Sequence, residues 1–433
     1  MKYFLNIVLF LFITISCVAQ EDVQSKIKYY TEKVQNYLDK EKALSGYYSI
    51  DKDGIKMFAS SKDKLANKVE FFVSWRLYDT FAEKTHIYSD KELINIYFQT
   101  SEFTLRPREY PDGVYTKPYD EPHPKLFGYR IAIDAGHIAN DYEMGDLEKK
   151  YIKMNVDSAR GIYDSLQIAE GMLTMATAQL LKEKLEAEGA QTFSTRVNGL
   201  NAFGISFDDW LTKYYATAVD SLYKLGRFTL KQKEWLLGPK ALKRDKFREV
   251  FKDLELAKRA EIINKYNPDF TVIIHYNVDE TNLEWNKPTT KNFNMTFVGG
   301  AFMKSDLATI EKRFDFFRLL ITDDLEKSIQ LSGAVVKQFE NTLNVKTAKI
   351  TDAKYLFKGC LPTTETGVYC RNLQLPRFIH SPIVYGETLY QDNLSECKLL
   401  NEESDKTKNK RVQQVADAYY KGIVDYIVTP SKK

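Results

Sequence analysis

The stretch Tyr129-Arg130-Ile131-Ala132-Ile133-Asp134-Ala135-Gly136-His137 decides the architecture. A short apolar run stops at a glycine, with an imidazole immediately beyond. A run with apolar residues on successive positions is buried on both faces, as in a parallel sheet. Open parallel sheets place their ligand-binding groups just beyond the carboxyl ends of such strands. Further on, Leu173, Ala176, Leu180, Leu181 and Leu185 recur at helical spacing over residues 170–188, and Gly189 supplies the stop. Residues 191–195 then read as the next strand. A strand, a loop, a helix and a second strand make a right-handed parallel crossover.

The same reading extends along the rest of the chain. A helix over about 253–266 leads to the buried strand 270–274, which ends in His275-Tyr276-Asn277. A strand over about 295–298 reaches Gly299-Gly300, helices fill about 305–344, and the run Ile383-Val384-Tyr385 ends in Gly386-Glu387. A helix over about 409–427 closes the chain. The expected fold class is α/β, a twisted and mostly parallel sheet with helices on both faces, preceded by a small N-terminal α+β module.

Composition narrows the classes. Of 433 residues, 44% are hydrophobic, and 26 Phe with 28 Tyr bury too much apolar surface for a disordered chain. Only 20 Gly and 12 Pro exclude collagen-like sequence. The balance of 62 basic against 59 acidic residues, net +3, does not favour a nucleic-acid partner. Residues 1–19 read as a secretory signal: Lys2, an apolar run from Tyr3 to Ile15, then small residues, too short to span a bilayer comfortably. Cleavage after Ala19 leaves Gln20 first; alternatively Thr14-Ile15-Ser16-Cys17 loosely resembles a lipoprotein box, with Cys17 lipidated and anchoring the chain to a membrane. The protein is therefore expected in the periplasm or cell envelope. Residues 20–128 form an N-terminal module whose role the sequence does not assign, ending in a Pro-rich linker over 106–124. Residues 129–428 form the main domain, with an insert at about 197–255 rich in Lys, Trp and Tyr. Cys360 and Cys370 either close a loop as a disulfide or, with Cys397, stay as buried apolar thiols; no C-x-x-C pair is present, so a cysteine zinc site is disfavoured.

Four residues at strand ends or helix starts carry the chemistry: His137, Glu170, His275 and Glu387. Two imidazoles and one carboxylate are a usual set for a catalytic zinc ion with one position left to water. Neutral nitrogen donors keep the ion acidic enough to activate that water, and a further carboxylate off the metal would move protons. The separations are long (170 − 137 = 33, 275 − 170 = 105, 387 − 275 = 112), so no local motif such as H-E-x-x-H carries the case.

The order Ile131-Ala132-Ile133-Asp134-Ala135-Gly136-His137 resembles the I-D-P-G-H opening of zinc-dependent N-acetylmuramoyl-L-alanine amidases of the doubly wound α/β kind. In that family a Glu opens a helix ending L-E-A-x-G, followed by a strand ending T-R. Here Glu170 opens the helix, Leu185-Glu186-Ala187-Glu188-Gly189 ends it, and Thr195-Arg196 follows. Leu256 to Arg259 before Ile274-His275-Tyr276-Asn277 is similar to the family's L-x-x-R before S-I-H-A-N, and residues 382–387 with Asn393 resemble its closing P-x-L-V-E-x-G-F-x-S-N. The resemblance covers about 129–196 and 254–428. It implies that His137, Glu170 and His275 bind Zn²⁺ and that Glu387 is the catalytic carboxylate. The substrate it implies is peptidoglycan or muropeptides, cut at the amide between N-acetylmuramic acid and L-alanine. This chain departs at Ala135 for Pro, Gly171 for Lys, Ile273 for Ser and Leu389 for Gly.

Other residues admit plainer readings. His86 and His123 lie in polar sequence and are expected in solvent, while His380 either lines the pocket or is structural. Asp134 either orients His137 or caps its turn, Asn277 contacts substrate or bonds the loop backbone, and Arg259 pins its helix. The insert aromatics Trp210, Tyr214, Tyr215, Tyr223 and Trp235 read as a packed helical pair, with a glycan-facing lid as the alternative. Two rival functions stand beside the amidase: a zinc amidohydrolase or peptidase acting on another amide, and a non-catalytic cell-wall-binding protein.

Overall fold

All eight residues of one strand, Phe270–Asn277, are buried, and the main sheet is arranged around it. The computed structural model describes residues 22–78, 85, 86, 88, 90–99, 124–154, 165–197 and 199–428. The signal stretch with Cys17, His123 and nearly all of the Pro-rich linker lie outside the described residues. In chain order the strands are β1 (Tyr48–Asp51), β2 (Gly54–Met57), β3 (Phe71–Ser74), β4 (Arg130–Ala135), β5 (Tyr151–Met154), β6 (Leu166–Ala169), β7 (Gln191–Ser194), β8 (Phe270–Asn277), β9 (Met295–Val298), β10 (Cys360–Pro362), β11 (Val368–Arg371) and β12 (Ile383–Tyr390).

Seven of these form the main sheet in the order β10-β11-β9-β12-β8-β4-β7. The β12, β8, β4 and β7 strands run parallel. The β9 strand is antiparallel to β12 yet parallel to β11, and β10 is antiparallel to β11. The sheet is thus mostly parallel, as expected, with reversed strands toward one edge. Two elements were not legible in advance: the β5–β6 hairpin, which forms a separate two-stranded sheet, and the short β10–β11 pair.

Five long helices cover the sheet: α1 (Glu170–Ala187), α2 (Lys252–Tyr266), α3 (Ile310–Ile321), α4 (Asp324–Leu343) and α5 (Lys410–Val428). Alternation along each strand sorts its side chains between two cores. On one face Ile131, Ile133, Val272, Ile274 and Val384 join Leu173, Leu181 and Leu185 of α1, Val335 of α4 and Val415 of α5. On the other, Ala132, Ile273 and Ile383 meet Ala260 and Ile263 of α2 and Leu375 of a short helix. That second face is where Asp134 and His275 point.

The N-terminal β1–β2–β3 sheet is antiparallel. It packs on α3, with the Phe71 ring 5.3 Å from Phe314 and 5.9 Å from Phe317. Arg313 makes a two-pronged ion pair with Glu70 at 2.6 and 2.7 Å. Its apolar residues belong to the same continuous core as the main sheet. The insert builds a core of its own from Phe207, Trp210, Tyr215, Val219, Leu236, Phe247 and Phe251. Trp210 is 2% exposed, so it is packing rather than a lid surface.

Cys360, Cys370 and Cys397 are free and buried, the second of the two readings the sequence left open. Across β10–β11 Cys360 faces Arg371 and Cys370 faces Leu361, so the two thiols are not cross-strand partners. Among the described residues no helix is long and apolar enough to cross a membrane.

The α4–α5 crossing depends on Gly422, where an added Cβ would lie 2.5 Å from the Val335 Cα. Gly422→Ala is expected to overpack this contact and cost about 1–3 kcal/mol in urea denaturation. Gly359→Ala, at a position with open space around it, is the control and should leave the midpoint unchanged within error.

Candidate metal centre

The site forms at the carboxyl ends of β4 and β8. The β4 strand ends at Ala135, and the chain turns through Gly136 into His137, whose φ is 61°. A left-handed backbone at a non-glycine residue costs free energy and recurs at functional sites. Surrounding bonds hold the turn. The Gly136 carbonyl accepts from Thr174 Oγ1 at 2.6 Å and Arg196 at 3.1 Å. The Ala135 and His137 carbonyls each accept from Arg259 at 2.8 Å. Glu148 accepts the backbone N–H groups of Ile138 and Ala139 at 3.0–3.2 Å.

Glu170 begins α1, where a carboxylate also suits the helix dipole. Its own N–H donates to the Lys150 carbonyl at 3.1 Å, so the β5–β6 hairpin fixes where the helix starts. Gly171 follows because an added Cβ would sit 2.3 Å from the Ala139 carbonyl oxygen. That crossing gives a physical reason for glycine where the resembled family has lysine.

His137, Glu170 and His275 converge. His275 Nδ1 lies 3.2 Å from His137 Nε2 and 3.2 Å from Glu170 Oε1, and His137 Nε2 lies 3.1 Å from the same oxygen. The three atoms form a nearly equilateral triangle. A tetrahedral ion bound at about 2.0–2.1 Å sets its ligands about 3.3 Å apart, so the triangle has the size such an ion requires. Each of the three atoms can offer a lone pair, and together they could hold one ion between them. The second Glu170 oxygen, Oε2, is buried with no hydrogen-bond partner, and its nearest countercharge is Lys150 Nζ at 3.7 Å. The donor set therefore fits a divalent cation.

Electrostatics favours the same state. Burial lowers the His137 imidazole to about 3 despite the attraction of Glu170, so that ring is neutral. Burial alone would raise Glu170, but the Lys150 ammonium and the hydrogen-bond contacts with His137 and His275 hold the carboxyl well below its ordinary range. Neutral imidazole and ionised carboxylate are the forms a metal takes.

Glu387 lies on β12 directly beside His275 on β8. Paired residues of neighbouring parallel strands face the same side, so the fourth predicted residue shares the sheet face of His275. Burial raises its carboxyl to about 7, and the charge of Glu170 adds to the shift while His275 opposes it. A cavity beside the triangle is lined by His137, Lys150, His275 and Tyr385, with Phe247 and Phe251 of the insert on its far wall.

The remaining expectations resolve individually. Asp134 does not touch His137; it bonds Thr195 and pairs with Arg259 at 3.2 Å, so it acts on the turn through that arginine. Arg259 pins more than its helix: besides Glu255 one turn back at 2.7 Å, it binds Asp134 and the Ala135 and His137 carbonyls. Asn277 donates to the Tyr355 hydroxyl at 3.1 Å. His380 is buried just before β12 begins, at the end of that strand away from Glu387, and does not line the cavity. Its carbonyl lies 2.9 Å from Nδ1 of His86, which is half-buried rather than solvated. Sequence reading missed Glu148, Lys150 and Tyr385. The first two stand in the charged run Asp146-Leu147-Glu148-Lys149-Lys150, which carries no site signature.

Two substitutions test this construction. An added Cβ at Gly136 would lie 2.3–2.6 Å from three atoms of the His275 ring. Gly136→Ala should displace that ring and weaken divalent-metal binding, read by isothermal titration, with the far-UV circular dichroism unchanged. Arg259→Met strands the buried Asp134 and Glu255 carboxylates and is expected to cost about 3–5 kcal/mol in denaturant unfolding.

Residues 240–425 match the family described as N-acetylmuramoyl-L-alanine amidase, a span that includes His275 and Glu387, while His137 and Glu170 lie upstream of it. No curated protein matches. Among solved structures, the chain is similar to the CwlD amidase from Clostridioides difficile in complex with the GerS lipoprotein, at 18% identity and a TM-score of 0.36, over 69% of this chain and 98% of that one. It is also similar to the apo N-acetylmuramyl-L-alanine amidase Ami1 from Mycobacterium abscessus, at 18% identity and a TM-score of 0.36, over 70% and 99%. The catalytic domain of CwlV from Bacillus (Paenibacillus) polymyxa var. colistinus shows 15% identity and a TM-score of 0.33, over 69% and 97%. Residues 240–425, the stretch that holds His275 and Glu387, are thus the part of the chain that matches the N-acetylmuramoyl-L-alanine amidase family.

Proposed function

We propose that the protein is an exported zinc-dependent hydrolase that cleaves the amide joining N-acetylmuramic acid to L-alanine in peptidoglycan. The single observation that carries this reading is the 3.1–3.2 Å triangle of His137 Nε2, Glu170 Oε1 and His275 Nδ1, with Glu387 on the neighbouring strand. His137, Glu170 and His275 would hold the zinc ion. When bound there, zinc supplies Lewis acidity that polarises the amide carbonyl and makes water a stronger nucleophile.

The protein's own groups do the rest. Glu387 takes a proton from the attacking water and gives it to the departing L-alanine nitrogen, so one carboxylate serves as base and then acid. Glu148, Arg196 and Arg259 keep the His137 turn fixed while charge develops beside it. The Phe247 and Phe251 wall shields one side of the cavity from water. Residues 129–428 would be the catalytic unit, the helical insert at about 197–255 would border substrate entry, and residues 20–128 would brace the unit through α3. Export is supported by the signal-like residues 1–19 and by a substrate that lies outside the cytoplasm; Cys17 offers a lipid anchor.

Incubating the purified mature chain with a muramoyl peptide and weighing the products tests the reading. Release of the intact stem peptide, with a free L-alanine amine and the lactyl carboxyl left on the sugar, is expected. Glu387→Gln should lower that rate about 10²–10⁴-fold while zinc content stays unchanged. Products cut at a different amide, or undiminished turnover in Glu387→Gln, would contradict it.

A further inference from the structure

We propose that Tyr385 is a positioning residue that fixes the His275 imidazole in its metal-binding orientation; the inference rests on the metal-site reading above. His275 presents Nδ1, rather than the outer Nε2, to Glu170 and His137. The χ2 rotation of histidine is broad and roughly two-fold, so the side chain does not select that orientation by itself. A turn of the ring plane away from this angle would swing the nitrogen off the triangle. Something outside the side chain has to hold it.

The Tyr385 ring lies parallel to the His275 ring, with centroids 4.7 Å apart and 5° between planes. His137 meets the same imidazole edge-on at 4.8 Å and 89°. Stacking on one neighbour and an edge contact with another confine the ring plane. Gly136 contributes by leaving space, since any side chain there would enter the imidazole.

Tyr385 is itself held. It pairs directly with Phe297 across β12 and β9, and the two rings meet at 6.1 Å and 60°. Phe297 meets Tyr355 at 6.4 Å, and the Arg371 guanidinium lies 5.0 Å over both of those rings. The aromatic row therefore runs from the metal site across three adjacent strands, and its far end is capped by a cation. Offset stacks and edge contacts of this kind are worth about 0.5–1.5 kcal/mol each beyond their buried area. The ring supplies the positioning and the phenol oxygen does not, so phenylalanine should substitute and leucine should not.

The test is zinc titration of metal-free wild type, Tyr385→Phe and Tyr385→Leu against a chromogenic chelator, with thermal unfolding of each metal-free form as the measure of folding. Tyr385→Phe is expected within about twofold of wild type, and Tyr385→Leu weakened about 10–100-fold, the usual effect of losing a group that orients a metal ligand. If Tyr385→Leu fails to unfold cooperatively, Tyr385→Met fills the space without a ring and carries the same expectation. Equal zinc affinity in wild type and the ring-less variant overturns the inference while leaving the proposed function standing. A Tyr385→Phe defect as large as that of leucine also overturns it, because the hydroxyl rather than the ring would then matter. A folded wild type that binds no zinc overturns both.

Discussion

Three potential ligand atoms gathered within reach of one ion, on His137, Glu170 and His275, are the constraint to which the rest of the structure answers. They stand 3.1–3.2 Å apart, within hydrogen-bond reach of one another and also the spacing that ligands of a small tetrahedral cation take. Holding them there requires a left-handed histidine, a glycine with no room for a methyl group, and a helix that begins on its ligand. None of these is stable alone. The two arginines crowded against the turn, the buried acids that balance them and the eight-residue buried strand β8 hold the arrangement in place.

The buried charges show how this works. Arg259 and Arg196 lie among Asp134, Glu255 and Glu148 in almost complete burial. Desolvation makes such a network a poor source of net stability, since apolar residues of the same volume often do as well. Its value lies in direction: four carbonyl bonds from two guanidinium groups fix the backbone from Ala135 to His137. Arg196 is even lowered to about 10 by its burial and by the neighbouring Arg259, a cost the site bears for that geometry.

Much of this was legible from the chain. Runs such as residues 129–134 and 270–274 are apolar on both faces and end at a glycine or a histidine, and a parallel sheet must put those ends together. That logic located His137, His275 and Glu387, and helical spacing located Glu170 at the head of α1. The unread parts share a physical cause. The β5–β6 pair has only four residues in each strand, too few for a clear alternation, yet it delivers Lys150 to Glu170. Glu148 acts through backbone N–H groups, a role open to any nearby carboxylate. Tyr385 was visible only as one more apolar strand residue, because its contact with His275 depends on the register between β12 and β8. The choice between a disulfide and buried thiols also turned on register: near neighbours in sequence, Cys360 and Cys370 are offset across their strands.

X-ray absorption at the zinc edge of the reconstituted protein tests the central claim most directly. The account predicts a first shell of nitrogen and oxygen alone, with the multiple-scattering signature of two imidazoles and one ion per chain. Sulfur in that shell, or fewer than two imidazoles in a fully folded protein, would contradict it.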